Sequence, residues 1–188
     1  KLPGEVISHN VIAEITGSKY PDEIVLLGAH LDSWDEGTGA LDDGAGVGIV
    51  MATAALLKQQ ARPERTIRVV LYGNEEGGLV GARAYAAKHA ATLDKHVFAS
   101  ESDFGAGRIW RLDTGFGPNS QHFADSLLQQ LAPLGVEAGK TTASGGPDVS
   151  VIKALGVPVV SLQQDGSDYF DYHHTPNDTM DKIDPKAM

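Results

Sequence analysis

Three short, largely apolar runs at residues 24–29, 67–72 and 157–162 each end in a loop carrying glycine or acidic side chains. A strand buried on both faces reads as a near-continuous apolar run, whereas a strand with one wet face alternates. The runs therefore require central strands in a sheet covered on both sides, and this is the tightest constraint on the fold. Helical segments lie between them. Residues 44–60 repeat Val47, Ile49, Val50, Ala54 and Leu57 at helical spacing, and Pro63 marks the break that follows. Residues 79–90 are alanine-rich, 120–131 form a third helical stretch, and 97–99 open another strand. Residues 11–16 alternate as a half-buried strand would. Strands alternating with helices predict an α/β three-layer sandwich with a mostly parallel, mixed central sheet.

A length of 188 residues suits one domain with one core. The sequence opens on Lys1 and stops at Met188 just after a helix-start-like DPKAM, so residues 1–188 read as a single catalytic domain cut from a longer protein. No apolar run approaches the ~18 residues that span a bilayer, and no signal peptide is visible. No membrane partner is expected. The net charge of −10 argues against nucleic acid as a partner and fits an acidic cluster that binds cations. With no cysteine, thiol catalysis and a disulfide framework are excluded.

The loops carry the chemistry. GAHLDSW holds His30 and Asp32, ALDDGAG holds Asp42 and Asp43, YGNEEGG holds Glu75 and Glu76, SESDFG holds Asp103, and YHHTPNDT holds His173 and His174. Each segment is expected where a strand meets a loop, and open α/β sheets bind ligands beyond the carboxyl ends of their strands. Histidines and carboxylates without cysteine match hydrolytic zinc rather than structural zinc. Taken singly, each signal has a plain alternative. An H-x-D at a strand end is equally a surface pair. Asp42 and Asp43 before Gly44 read as helix capping, adjacent glutamates are usually solvated, and a lone histidine is more often structural. In an extended segment Asp32 returns to the side of His30, where its carboxylate could accept the second ring N–H.

Together these motifs resemble the co-catalytic di-zinc exopeptidases of clan MH, the aminopeptidase and glutamate-carboxypeptidase family, and within it the plasma carboxypeptidase type. The resemblance runs from AEITGSKYP to HHTPNDTMDKIDP. It implies a zinc-peptidase-like fold and two zinc ions per chain. Asp42 would bridge the ions, with His30 and Asp103 on one and Glu76 and His174 on the other. Glu75 would be the general base and Asp32 the partner of His30. Asp42 is preferred over Asp43 because the family's bridging acid is followed by one residue and then glycine. His174 is preferred over His173 because the pattern continues through Thr175, Asp178 and Thr179. Many relatives carry a tyrosine just before that histidine to polarise the substrate carbonyl, and here either His173 or Tyr172 has that task. The resemblance also implies a cis peptide bond between Asp42 and Asp43, and a secreted or periplasmic enzyme.

The expected activity is hydrolysis of dipeptides or of peptides at a free N-terminus, with a metal-activated water and Glu75 as proton carrier. An acidic wall favours a substrate α-amino group, while Arg108 and Arg111 read as solvated charges rather than a carboxylate clamp. The loop at 141–150 either rims the cleft with Asp148 facing in, or is a polar turn in which Asp148 caps a helix over 149–154. Trp34 either lines the pocket or packs under its loop. A homodimer stays open as a partner. Two rival functions remain: a glutaminyl-cyclase-like acyl transferase working with one zinc, and a non-catalytic receptor-like domain on the same fold.

Overall fold

A computed structural model describes Gly4 and residues 6–188. Seven strands form one sheet in the order β1-β3-β2-β4-β7-β5-β6. The centre is β3 (Arg65–Tyr72), β2 (Tyr20–His30), β4 (His96–Glu101) and β7 (Val159–Gln164), which run parallel to one another. The flanks reverse: β1 (Val11–Ile15) lies antiparallel to β3, and β5 (Ile109–Gly115) lies antiparallel to β7 with β6 (Glu137–Thr142) beside it. The sheet is mixed, with the parallel strands where the apolar runs required them.

Alternate residues of these strands supply two cores. Leu26, Val70, Ala99 and Val159 pack with Tyr85 of α2 (Val80–Lys88) and Val149 and Ile152 of α4 (Pro147–Lys153). On the other face Leu27, Ala29, Val69 and Leu71 meet Val47, Val50 and Ala54 of α1 (Ala45–Lys58). There too, Leu112 and Val160 meet Leu127, Leu128 and Leu131 of α3 (Gln121–Leu131). Two helices on each face give the three layers.

Several sequence expectations change in detail. β1 is an exposed edge strand rather than a half-buried one, with Val11 and Ile12 facing solvent. The helix expected over 149–154 begins at Pro147, whose fixed φ and missing N–H suit a first helical position. β5 and β6 were not anticipated. The stretch Ala40–Lys58 is long and apolar enough, by length and composition alone, to cross a membrane, although Asp42, Asp43 and Lys58 interrupt it. Its first five residues are a π-type turn holding two aspartates, and the remainder is α1, a core helix against the sheet.

Register brings the site together. His30 ends β2 opposite Tyr72 at the end of β3, and Gly28 of β2 lies opposite Glu101 at the end of β4. The loops leaving three adjacent parallel strands therefore emerge side by side.

Candidate metal centre

The first candidate ligand, His30, is almost wholly buried at the mouth of the sheet. Its backbone N–H donates to Asp43 Oδ2 at 3.0 Å, while Asp43 Oδ1 accepts the Gly46 N–H at 3.1 Å. Asp43 thus ties β2 to the start of α1. Only glycine fits at position 46, because a Cβ there would collide with the Asp43 carboxylate and the Ser102 carbonyl. With Asp43 engaged by backbone, the neighbouring Asp42 is free to point elsewhere. The bond between them is cis. Asp178, far along the chain and buried, accepts the N–H groups of Leu41 at 2.6 Å and Asp42 at 3.1 Å and so fixes the turn.

The two carboxylate oxygens of Asp42 face different partners. Oδ1 lies 3.0 Å from His30 Nε2, which is also 3.4 Å from Asp103 Oδ1. Oδ2 lies 3.1 Å from His174 Nε2, which is also 3.1 Å from Glu76 Oε2. His173 Nε2 approaches the same Oδ2 at 3.4 Å, and its ring stacks on that of His174 with centroids 3.5 Å apart. Ligand-type atoms of His30, Asp42 and Glu76 lie within 4.8 Å of one another, as do those of Asp42, His173 and His174. His30, Asp43 and Asp103 form a third such group.

Protonation states follow from the hydrogen bonds. His30 Nδ1 lies 2.9 Å from the Asp32 carbonyl oxygen, which can only accept, so Nδ1 carries a proton. In the neutral ring, Nε2 then presents a lone pair to two carboxylates. That arrangement is repulsive unless a proton or a metal ion lies among them. Burial would lower the ring's pKa, but the Asp103 and Asp42 carboxylates outweigh it and push His30 up to about 12. Burial also raises Glu76, and the Asp42 charge adds to that.

The Asp32 carboxylate does something other than expected. It sits 3.8 Å from His30 Nδ1, which its own backbone carbonyl already serves. Its oxygens instead accept the N–H groups of Glu75 at 2.9 Å and Glu76 at 3.1 Å. Asp32 therefore holds the turn after β3, entered through Asn74 in the left-handed region at φ 61. Glu75 beside it is half-buried, and burial, reinforced by Asp103, pushes it up to about 7.

Two expectations are redirected. His174 follows the short helix α5 (Tyr169–Tyr172) rather than a strand end, and it adopts φ 59, a conformation that non-glycine residues hold only under surrounding constraint. Tyr172 packs against the cluster of Leu41, Ala45, Ala106 and Tyr169, so His173 is the member of the pair that faces Asp42. Asp148 is neither a cap nor on the rim. It is 0% exposed in the first turn of α4, where it lies against the buried Glu101 carboxyl and no N–H among the described residues reaches its oxygens. Burial first, then the Glu75 charge, pushes it up to about 7. The bond of Asp43 to Gly46 is the helix cap that the sequence offered, whereas its bond to His30 and the roles of Asp178 and Trp34 escaped the sequence because they accept or donate across chain distances that leave no local pattern.

The profile of Peptidase family M28 matches residues 10–188. The chain belongs to peptidase family M28. Carboxypeptidase Q of Rattus norvegicus is 41% identical over 182 residues, which are 96% of this chain and 38% of that relative. The chain thus spans well under half the length of the curated M28 relatives it matches. A solved structure of a Peptidase M28 precursor from Shewanella amazonensis superimposes with TM-score 0.92 at 61% identity, covering 95% of this chain and 40% of that one. The aminopeptidase from Aneurinibacillus sp. strain AM-1 gives TM-score 0.76 at 27% identity, covering 96% and 44%.

Proposed function

We propose that this M28 chain is a zinc-dependent exopeptidase acting on dipeptides or on peptides with a free N-terminus. The observation that carries the reading is the division of the Asp42 carboxylate, one oxygen toward His30 and Asp103 and the other toward His174 and Glu76. The residues fit two zinc ions. Both imidazole Nε2 atoms face carboxylates, and Glu76 Oε1 is buried without a partner among the described residues. Histidine nitrogen with carboxylate oxygen is a zinc donor set. His30 and Asp103 would hold one ion, Glu76 and His174 the other, and Asp42 both. Bound zinc polarises the scissile carbonyl and lowers the pKa of water.

The remaining work falls to protein groups. Glu75, raised to about 7 by burial, accepts a proton from the attacking water and returns it to the leaving amine. Asp32 sets where Glu75 stands by holding its N–H. His173, whose Nε2 faces Asp42 Oδ2 at 3.4 Å, would donate to the carbonyl oxygen as negative charge develops there. The carboxylates around the cleft attract a protonated substrate amine. The test is a zinc count paired with a panel of dipeptides and aminoacyl anilides. Two zinc ions and turnover are expected. One zinc with cyclisation of an N-terminal glutamine would favour the acyl-transferase reading, and no zinc with no turnover the receptor-like one.

A further inference from the structure

Trp34, on the loop between β2 and α1, touches two of the proposed ligands at once. Its indole Nε1–H donates to Glu76 Oε2 at 2.8 Å, and its ring lies against that of His174 with centroids 4.8 Å apart and planes 36° apart. The side chain is 53% exposed, so burial of its apolar surface does not explain its position. Glu76 Oε2 is the oxygen that also faces His174 Nε2 at 3.1 Å. A carboxylate oxygen offers two lone-pair directions. The indole occupies one and leaves the other aimed into the cluster. Among the described residues Glu76 Oε1 has no hydrogen-bond partner, so the Trp34 N–H holds the carboxylate's rotation from the side opposite His174.

We propose that Trp34 is a positioning residue for the metal position formed by Glu76 and His174, its N–H orienting the carboxylate and its face steadying the imidazole. The inference rests on the reading of Glu76 and His174 as ligands. Partners behind a metal ligand commonly contribute 10–100-fold in affinity, so loss of the N–H should weaken one of two zinc-binding steps and spare the other. Trp34 is also one of only two tryptophans. The second, Trp110, lies on β5 under the Arg111 guanidinium, so a Trp110→Phe chain leaves the cluster as the sole source of indole emission.

The full chain, stripped with a chelator, is titrated with zinc against a chromophoric indicator as wild type, Trp34→Phe and Trp110→Phe. Expected is a roughly 10–100-fold weaker step in Trp34→Phe, with the other step and the metal-free circular dichroism unchanged. Trp110→Phe emission should change in proportion to that same step. Zinc uptake by Trp34→Phe equal to wild type overturns this proposal alone. So does Trp110→Phe emission that stays constant while both steps fill, a readout that holds even if Trp34→Phe fails to fold. A wild-type chain that takes up no zinc overturns the ligand reading and this proposal together.

Discussion

His30 closes β2 and His96 opens the neighbouring strand β4, so one sheet buries a histidine at each end. Both rings place Nδ1 against a backbone carbonyl, that of Asp32 at 2.9 Å and that of Leu93 at 3.1 Å. They differ at Nε2. In His96 it lies 2.8 Å from the Tyr85 hydroxyl, which itself accepts from Arg68 Nη1 at 2.7 Å. The donors run in order from Arg68 to Tyr85 to His96 to Leu93, and the neutral ring is satisfied. In His30, Nε2 meets two carboxylates, and the contact is satisfied only when a proton or a metal ion lies among them. Complete pairing marks a group built for stability. A histidine directed at acids marks a group that needs a cation from outside.

The sharpest way to break this comparison is at Glu75, which the proposed function makes the proton carrier rather than a ligand. Glu75→Gln keeps shape and the backbone bond to Asp32 while removing the proton acceptor. Turnover of a cleaved dipeptide should fall about 10²–10⁴-fold, roughly 3–5 kcal/mol in barrier, with zinc content unchanged. Glu76→Ala should instead lower zinc content. The reverse pattern would exchange the two roles, and full activity in both variants would remove the hydrolytic mechanism.

Chelation is the next largest effect and falls on one end of the sheet only. A ligand at a hundred times its dissociation constant stabilises the fold by about 2.7 kcal/mol, which for a domain of this size moves the thermal midpoint by roughly 5–11 °C. Stripping zinc should therefore lower the midpoint by about that much in the wild type. Tyr85→Phe should show the same drop, since its hydroxyl serves only the other end. A midpoint indifferent to chelator would mean that the carboxylates around Asp42 are tolerable without a cation.

How legible the two ends were follows from the kind of signal each leaves. Residues 24–29 and 67–72 announce β2 and β3 because strands covered on both faces must be apolar throughout. β6, EAGKTT, is an exposed edge strand and reads as loop. β5 conceals itself because its Arg111 and Asp113 pair with each other, Nε to Oδ2 at 3.0 Å, rather than meeting solvent as the sequence suggested for Arg111. The candidate ligands were legible from their motifs, since each sits in a short loop with a recognisable neighbourhood. Asp178 was noticed only as part of a pattern. Its task, gripping Leu41 and Asp42 from well over a hundred residues away, depends on the folded chain.

Asp148 tests whether the cleft end is costly without metal. Its raised pKa means that the fold prefers the protonated acid. That contribution is fully present below the ordinary carboxylate range and is lost as pH rises to about 7. Asp148→Asn keeps the volume and cannot ionise. In metal-free protein the variant should gain on wild type between about pH 4 and pH 7, reaching on the order of 1–3 kcal/mol, with the gap flat above that range. Urea midpoints across pH read it directly. Parallel profiles would show that Asp148 carries its charge in the fold without penalty.

The smallest effect belongs to His96, and its sign is opposite. Burial lowers this ring, partly offset by the Leu93 carbonyl and reinforced by the Arg68 charge, and His89 at the end of α2 is lowered by burial and by the Arg68 and Lys88 charges. A histidine with a depressed folded pKa leaves the unfolded chain binding the extra proton, so stability falls as pH drops below about 6.5 toward the lowered value. His96→Gln removes the titration together with the bond to Tyr85. It should cost about 1 kcal/mol at pH 8, and the deficit should narrow as pH falls through 6 because only the wild type pays for the proton there. Zinc affinity should not move. If the deficit widened on acidification, the folded ring would be accepting the proton, and the donor order from Arg68 to Leu93 would be wrong.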